Sequence, residues 1–197
     1  MLETPCIRRY SPRTVIRLSY VTGMGSDNPF GADNQQERPD VEQWVVGFVD
    51  GEGCFSISVV KNPGMSLGWQ VQHEFSITQL AHSRSALELV GTTLGVGKII
   101  ENRRSDNHRE SLMRLSVKKR QDLIGIVVPF FRRNPLRTAK QFDFDLFCTA
   151  LEVIECGEHL KTSGLRKIAE ITERMNRRKP SRYLESSEAI RQPSLNR

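Results

Sequence analysis

The segment Val45-Val46-Gly47-Phe48-Val49-Asp50-Gly51-Glu52-Gly53 constrains this chain more than any other. An apolar helix ends there in two acids set among glycines, and a strand-like run follows at once. Gly47 and Gly51 are four residues apart and share one helix face. With no side chains on that face a second backbone can approach closely, and a symmetric pair of such helices uses the same patch twice. Asp50 and Glu52 fall where the helix macrodipole is negative, which disfavours carboxylates unless a cation or basic group offsets them. Two readings fit these residues alone. One is an ordinary helix stop carrying two solvated acids. The other is a paired helix that brings two Glu52 carboxylates together, a cluster of hard oxygen donors suited to Mg²⁺.

The remaining sequence predicts where that segment sits. In 54–61, Phe55, Ile57 and Val59 alternate with Cys54, Ser56, Ser58 and Val60; in 69–78, Val71, His73, Phe75 and Ile77 alternate with Gln70, Gln72, Glu74 and Ser76. Period-two alternation of this kind predicts two strands with one apolar and one polar face. Asn62-Pro63-Gly64 turns the chain between them. Asp40 is placed to cap the first helix, with Gln43 in capping-box position, and that helix is expected to end at about Asp50. A helix is expected over 83–94, a second hairpin from Lys98–Arg103 and Leu112–Val117, and helices over 119–131, 138–156 and 163–176. The order predicts an α+β domain with helices on one sheet face. We expect an irregular arm over 1–38, the domain over 39–178, and a basic, fraying tail over 179–197.

Charge bears on the partner. The net charge is +6, and residues 98–140 alone hold 12 basic and 4 acidic side chains. Basic surface of that density suits a polyanion. No run reaches the roughly 18 apolar residues of a membrane span, and residues 1–20 lack a secretory apolar core. Arg8, Arg9, Arg13 and Arg17 are compatible with a transit leader or with a disordered basic arm. The four cysteines form no CxxC pair and the four histidines show no metal-ligand spacing. A reducing compartment and a non-secreted protein are the expectation.

Several segments together resemble the LAGLIDADG homing endonucleases. The nonapeptide above is similar to that family's signature. Phe75-Ser76-Ile77-Thr78-Gln79 is similar to its second strand, Leu94-Gly95-Val96-Gly97-Lys98-Ile99 to its LGxGxI segment, Pro135-Leu136-Arg137-Thr138-Ala139-Lys140 to its PLxTxK segment, and Gly164-Leu165-Arg166-Lys167-Ile168 with Met175-Asn176 to its terminal helix. The resemblance implies an αββαββα fold whose four-stranded antiparallel, saddle-shaped sheet sits on double-stranded DNA. It implies a site-specific DNA endonuclease, intron-encoded and dependent on Mg²⁺ or Mn²⁺, with no small-molecule cofactor, placed inside the cell with its host's DNA, in a bacterial cytoplasm or an organelle. One signature copy implies a homodimer, joined through Val46, Gly47, Asp50 and Gly51. The alternative is a non-enzymatic nucleic-acid-binding protein of the same fold, an intron maturase or a regulator.

The same resemblance assigns roles. Glu52, with the Gly51 backbone carbonyl, matches the metal ligand; Gln79 matches the residue that orders solvent; Lys140, or alternatively Lys118, matches the basic group at the scissile phosphate. A basic residue that some members carry four positions after the Gln is Ser83 here. For base reading, alternation from Glu52 selects Ser56, Ser58, Gln70, Gln72, Glu74, Ser76, Lys98, Asn102, Arg104, Arg114 and Ser116. Gln and Asn suit adenine, Arg guanine and Glu cytosine.

Overall fold

A computed structural model describes residues 40–102, 110–176 and 180–186. The expected arm over 1–38, Arg104 and the end of the tail lie outside the described residues. Helix α1 (Val41–Glu52) runs into β1 (Gly53–Lys61), which pairs with β2 (Trp69–Leu80). A short turn leads to α2 (Arg84–Leu94), which stops at Gly95 in the left-handed conformation at φ 69°. β3 (Lys98–Asn102) and β4 (Leu112–Val117) form the second hairpin. The four strands make one antiparallel sheet, as the resemblance implied, in the order β1-β2-β4-β3.

Helical structure then resumes in α3 (Arg120–Asp122), a π-helical stretch (Leu123–Val127) and α4 (Val128–Arg133). The sequence predicted one regular helix here. Pro129 has no N–H to donate and its ring crowds the carbonyl of Gly125, so the helix widens just before it. α5 (Lys140–Glu155) and α6 (Thr162–Arg174) complete the domain.

The inward strand residues Phe55, Ile57, Phe75, Ile77, Met113, Leu115 and Val117 are buried against the helices. Phe55 is the hub. Its ring lies 5.0 Å from Phe75, 5.5 Å from Phe131, 5.1 Å from Phe144 and 5.5 Å from Phe147. Each buried phenyl contributes about 1.5–3 kcal/mol relative to exposure. The cluster fastens β1 to α5 and so fixes how the start of α5 meets the end of α1. Asn176, at φ 49°, donates from Nδ2 to the Phe55 carbonyl at 3.0 Å and ties the end of α6 to the same strand.

Two expectations need correction. Asp40 caps α1, but it accepts from the Glu42 N–H at 2.9 Å, and the Gln43 amide donates to Asn134 Oδ1 instead of closing a capping box. The tail expected to fray beyond 179 instead turns back over 180–186. Tyr183 is buried there, its ring edge-on to Trp69 at 5.2 Å. An aromatic side chain supplies enough apolar area to hold a short turn against the sheet.

Candidate active site and nucleic-acid interface

The helix-to-strand joint at Gly51–Gly53 is where the acids lie. α1 continues two residues past the expected end, so Glu52 is its last residue. The Gly53 N–H donates to the Val49 carbonyl, and a Cβ on Gly53 would meet Val49 Cγ1 at 2.6 Å. Only glycine lets β1 leave so abruptly. Glu52 is exposed, and its carboxylate accepts no hydrogen bond from the described residues.

Asp50 has a different environment. It accepts from the Arg137 N–H at 2.6 Å, from the Thr138 N–H at 3.2 Å and from Thr138 Oγ1 at 2.8 Å. Burial pushes its pKa up, but these hydrogen bonds and the Lys140 charge outweigh it and hold the carboxyl below its ordinary value. Asp50 therefore pins residues 137–138 to the end of α1. Asn134 pins the start of the same loop, donating to Glu42 Oε2 at 3.0 Å. Residue-by-residue reading missed Asn134 and Thr138; the signal was Pro135, which ends α4 and leaves the following backbone donors to be satisfied elsewhere.

That loop delivers Lys140. A lysine in the first turn of its own helix opposes the local dipole, yet this ammonium reaches the negative end of a different helix. It donates to the Gly51 carbonyl at 3.4 Å and to the Gly53 carbonyl. Gln79 lies two residues past Ile77, the partner of Gly53, and so at the sheet end beside the joint. Lys118 does not reach it: it follows β4 on the open sheet face, with Nζ 3.9 Å from Glu74 Oε1.

The α1 face that carries Gly47 and Gly51 is open. A Cβ at either position would meet nothing within 4 Å among the described residues. Trp44 and Phe48 stack beside them at 5.0 Å, and Trp44 is 38% exposed. Val46, expected at a dimer contact, is instead buried in its own core, and Asp50 is engaged with the loop. At 100° per residue, Val46 points well away from Gly47 and Gly51.

On the opposite sheet face, register aligns Cys54 with Ser76, Ser56 with Glu74 and Ser58 with Gln72, then Ser76 with Ser116 and Ser116 with Lys98. Ser58, Gln72 and Lys98 are exposed, and Ser56, Gln70 and Arg114 partly so. Asn102 closes β3 opposite Leu112. Ser76 and Ser116 point to this face but are buried, because the Glu74 and Arg114 side chains lie across them.

Residues 45–151 match the family description "LAGLIDADG endonuclease". The chain belongs to the LAGLIDADG endonuclease family. It is similar to the solved homing endonuclease I-TnaI, 39% identical, with a TM-score of 0.66 over 76% of this chain and 97% of that one. It is similar to the meganuclease I-CpaMI, whose structure is of the enzyme bound to uncleaved DNA, at 31% identity and TM-score 0.65, over 73% of this chain and 46% of that one. Among curated proteins it is similar to probable intron-encoded endonuclease 3 of Neurospora crassa, 33% identical over 69% of this chain. That match spans only 25% of the relative's length. These likenesses agree with the homing-endonuclease fold expected from the sequence.

Proposed function

We propose that this chain is one subunit of a site-specific double-strand DNA endonuclease. The observation that carries the reading is the joint itself: Glu52 is exposed at the helix end, and Lys140 holds its ammonium on the carbonyls to either side. A polar sheet face adjoins the joint, and relatives in the family have been solved with DNA.

The donor set fits a divalent cation only when doubled. Among the described residues no three His, Cys, Asp or Glu side chains gather as a metal site. One subunit offers one hard carboxylate, Glu52, and one helix-terminal carbonyl, that of Gly51. Two α1 helices in contact through Gly47 and Gly51 would bring two such sets together at a dyad. Mid-helix glycine is about 1 kcal/mol less favourable than alanine, and no contact among the described residues explains Gly47. A homodimer does. When bound, Mg²⁺ or Mn²⁺ supplies a more acidic water and stabilises the leaving oxygen. Lys140 stabilises the charge that develops on the scissile phosphate, Gln79 orients water at the joint, and Asp50 keeps Lys140 in reach by holding its loop. The Neurospora relative is named as intron-encoded; we extend that origin, and a place with its host's DNA inside the cell, to this chain.

The test uses the full chain and its Glu52→Gln variant on DNA libraries of candidate sites, with Mg²⁺ or Ca²⁺. We expect wild type to cut both strands in Mg²⁺ and only bind in Ca²⁺, while the variant binds without cutting. Wild type that binds yet never cuts in Mg²⁺ sinks the enzyme reading and leaves the maturase or regulator. Undiminished cutting by the variant removes Glu52 as the ligand.

A further inference from the structure

One carboxylate on the open sheet face gathers the polar groups around it. Glu74 Oε2 accepts from Arg114 Nη2 at 2.7 Å, and Oε1 accepts from Ser116 Oγ at 2.5 Å. Lys118 Nζ stands 3.9 Å from Oε1. The Glu74 side chain is only 16% exposed, so both oxygens are committed and screened. With each oxygen already accepting a hydrogen bond and the side chain largely screened, Glu74 is poorly placed for the cytosine-reading role expected of it.

The consequence falls on Arg114. Its Nη2 donates to Glu74 and also to Ser76 Oγ at 3.1 Å, which uses both hydrogens on that nitrogen. Its Nε is buried without a hydrogen-bond partner among the described residues. Nη1 is what remains. A two-point contact to guanine O6 and N7 needs two parallel N–H groups. Each edge of a guanidinium that offers such a pair includes Nη2 or Nε. Held this way, Arg114 can reach a base at one point only. One donor meets an acceptor on guanine, adenine or thymine alike in the major groove, so the contact discriminates weakly.

We infer that Glu74 is a positioning residue that keeps Arg114 from reading guanine. Removing the carboxylate converts a tolerant base-pair position into a guanine-selective one. The inference rests on the proposed use of this face to bind DNA. It gives the chain a simple route to altered specificity, through a residue that itself contacts no base.

The experiment selects bound duplexes from a randomised pool with the full chain, wild type against Glu74→Ala, Glu74→Gln and the double variant Glu74→Ala/Arg114→Ala. Glu74→Ala is expected to gain guanine preference of at least about fivefold at one base-pair position, the low end of a two-point contact. The gain vanishes in the double variant. Glu74→Gln keeps an acceptor for Ser116 without the charge and shows a smaller gain at the same position. Thermal unfolding accompanies each variant; if Glu74→Ala does not fold, Glu74→Gln decides. No guanine gain in the folded variants overturns the inference, as does loss of a cytosine preference, which would make Glu74 itself the reader. A wild type with no sequence preference overturns the DNA-reading assignment and this inference with it, an outcome distinct from the other two.

Discussion

Lys140 places its ammonium on the carbonyl oxygens of Gly51 and Gly53, the two residues that flank Glu52. A cation from the start of one helix thus closes the negative end of another, beside the acid assigned to metal binding. Replacing it with methionine keeps the length of the side chain and removes the charge. Single-turnover cleavage by Lys140→Met is expected to fall about 10²–10³-fold, the usual effect of deleting one donor to a developing oxyanion. DNA affinity measured in Ca²⁺ should change far less. A matching loss of binding would assign Lys140 to holding the backbone rather than to the reaction.

Asp50 organises the loop that carries Lys140. In Asp50→Asn an amide N–H₂ faces either the Arg137 or the Thr138 N–H, and one donor is left unpaired. Urea denaturation should show a loss of about 1–3 kcal/mol. The pH dependence has a definite sign. The folded-state pKa is lowered, so the carboxylate's contribution is full above the ordinary value of about 3.9 and is lost as pH falls through the folded pKa. The stability gap between wild type and Asp50→Asn should be constant near neutrality and close below about pH 4. A gap that persists at lower pH would mean the charge is not what holds the loop.

Gly47 separates folding from assembly. The space around it is open among the described residues, so Gly47→Leu should fold as well as wild type or slightly better, because leucine favours helix over glycine by up to about 1 kcal/mol. Under the proposed assembly, sedimentation should nonetheless show wild type as a dimer and Gly47→Leu as a monomer. If Gly47→Leu still dimerises, the α1 face is not the interface.

Tyr183 tests where the domain ends. Its ring is buried against Trp69, and its hydroxyl donates to the Thr162 carbonyl at 3.4 Å. Tyr183→Ala should destabilise the chain by about 3 kcal/mol, as aromatic truncations in cores do. A change under 0.5 kcal/mol would return residues 180–186 to the tail.

Much of the fold was legible because its signals are local. Alternation in β1 and β2 selected the buried Phe55, Ile57, Phe75 and Ile77, and the register pairs the polar residues between them as that alternation requires. Leu112–Val117 came out with its observed bounds. The π-helical stretch before Pro129 did not, since proline marks an interruption but not how the backbone absorbs it. Tyr183 was missed because composition alone cannot say which aromatic in a polar, basic segment finds a partner; its partner, Trp69, lies far away in the sequence.

The sequence by itself determined the alphabet of the site: Glu52 at the end of a glycine-faced helix, Gln79 ending a strand, Lys140 after Pro135-Leu136-Arg137-Thr138. Local periodicity and the family's motifs are enough for that, because each is written in neighbouring residues. Only the tertiary structure decided which side chains are free to act. It turned Val46 inward, separated Lys118 from the joint, tied Asp50 to the 137–138 backbone and locked Glu74 to Arg114. A hydrogen bond has two ends, and for Asp50 and Glu74 the second end lies tens of residues away, where only the packed core brings it within reach.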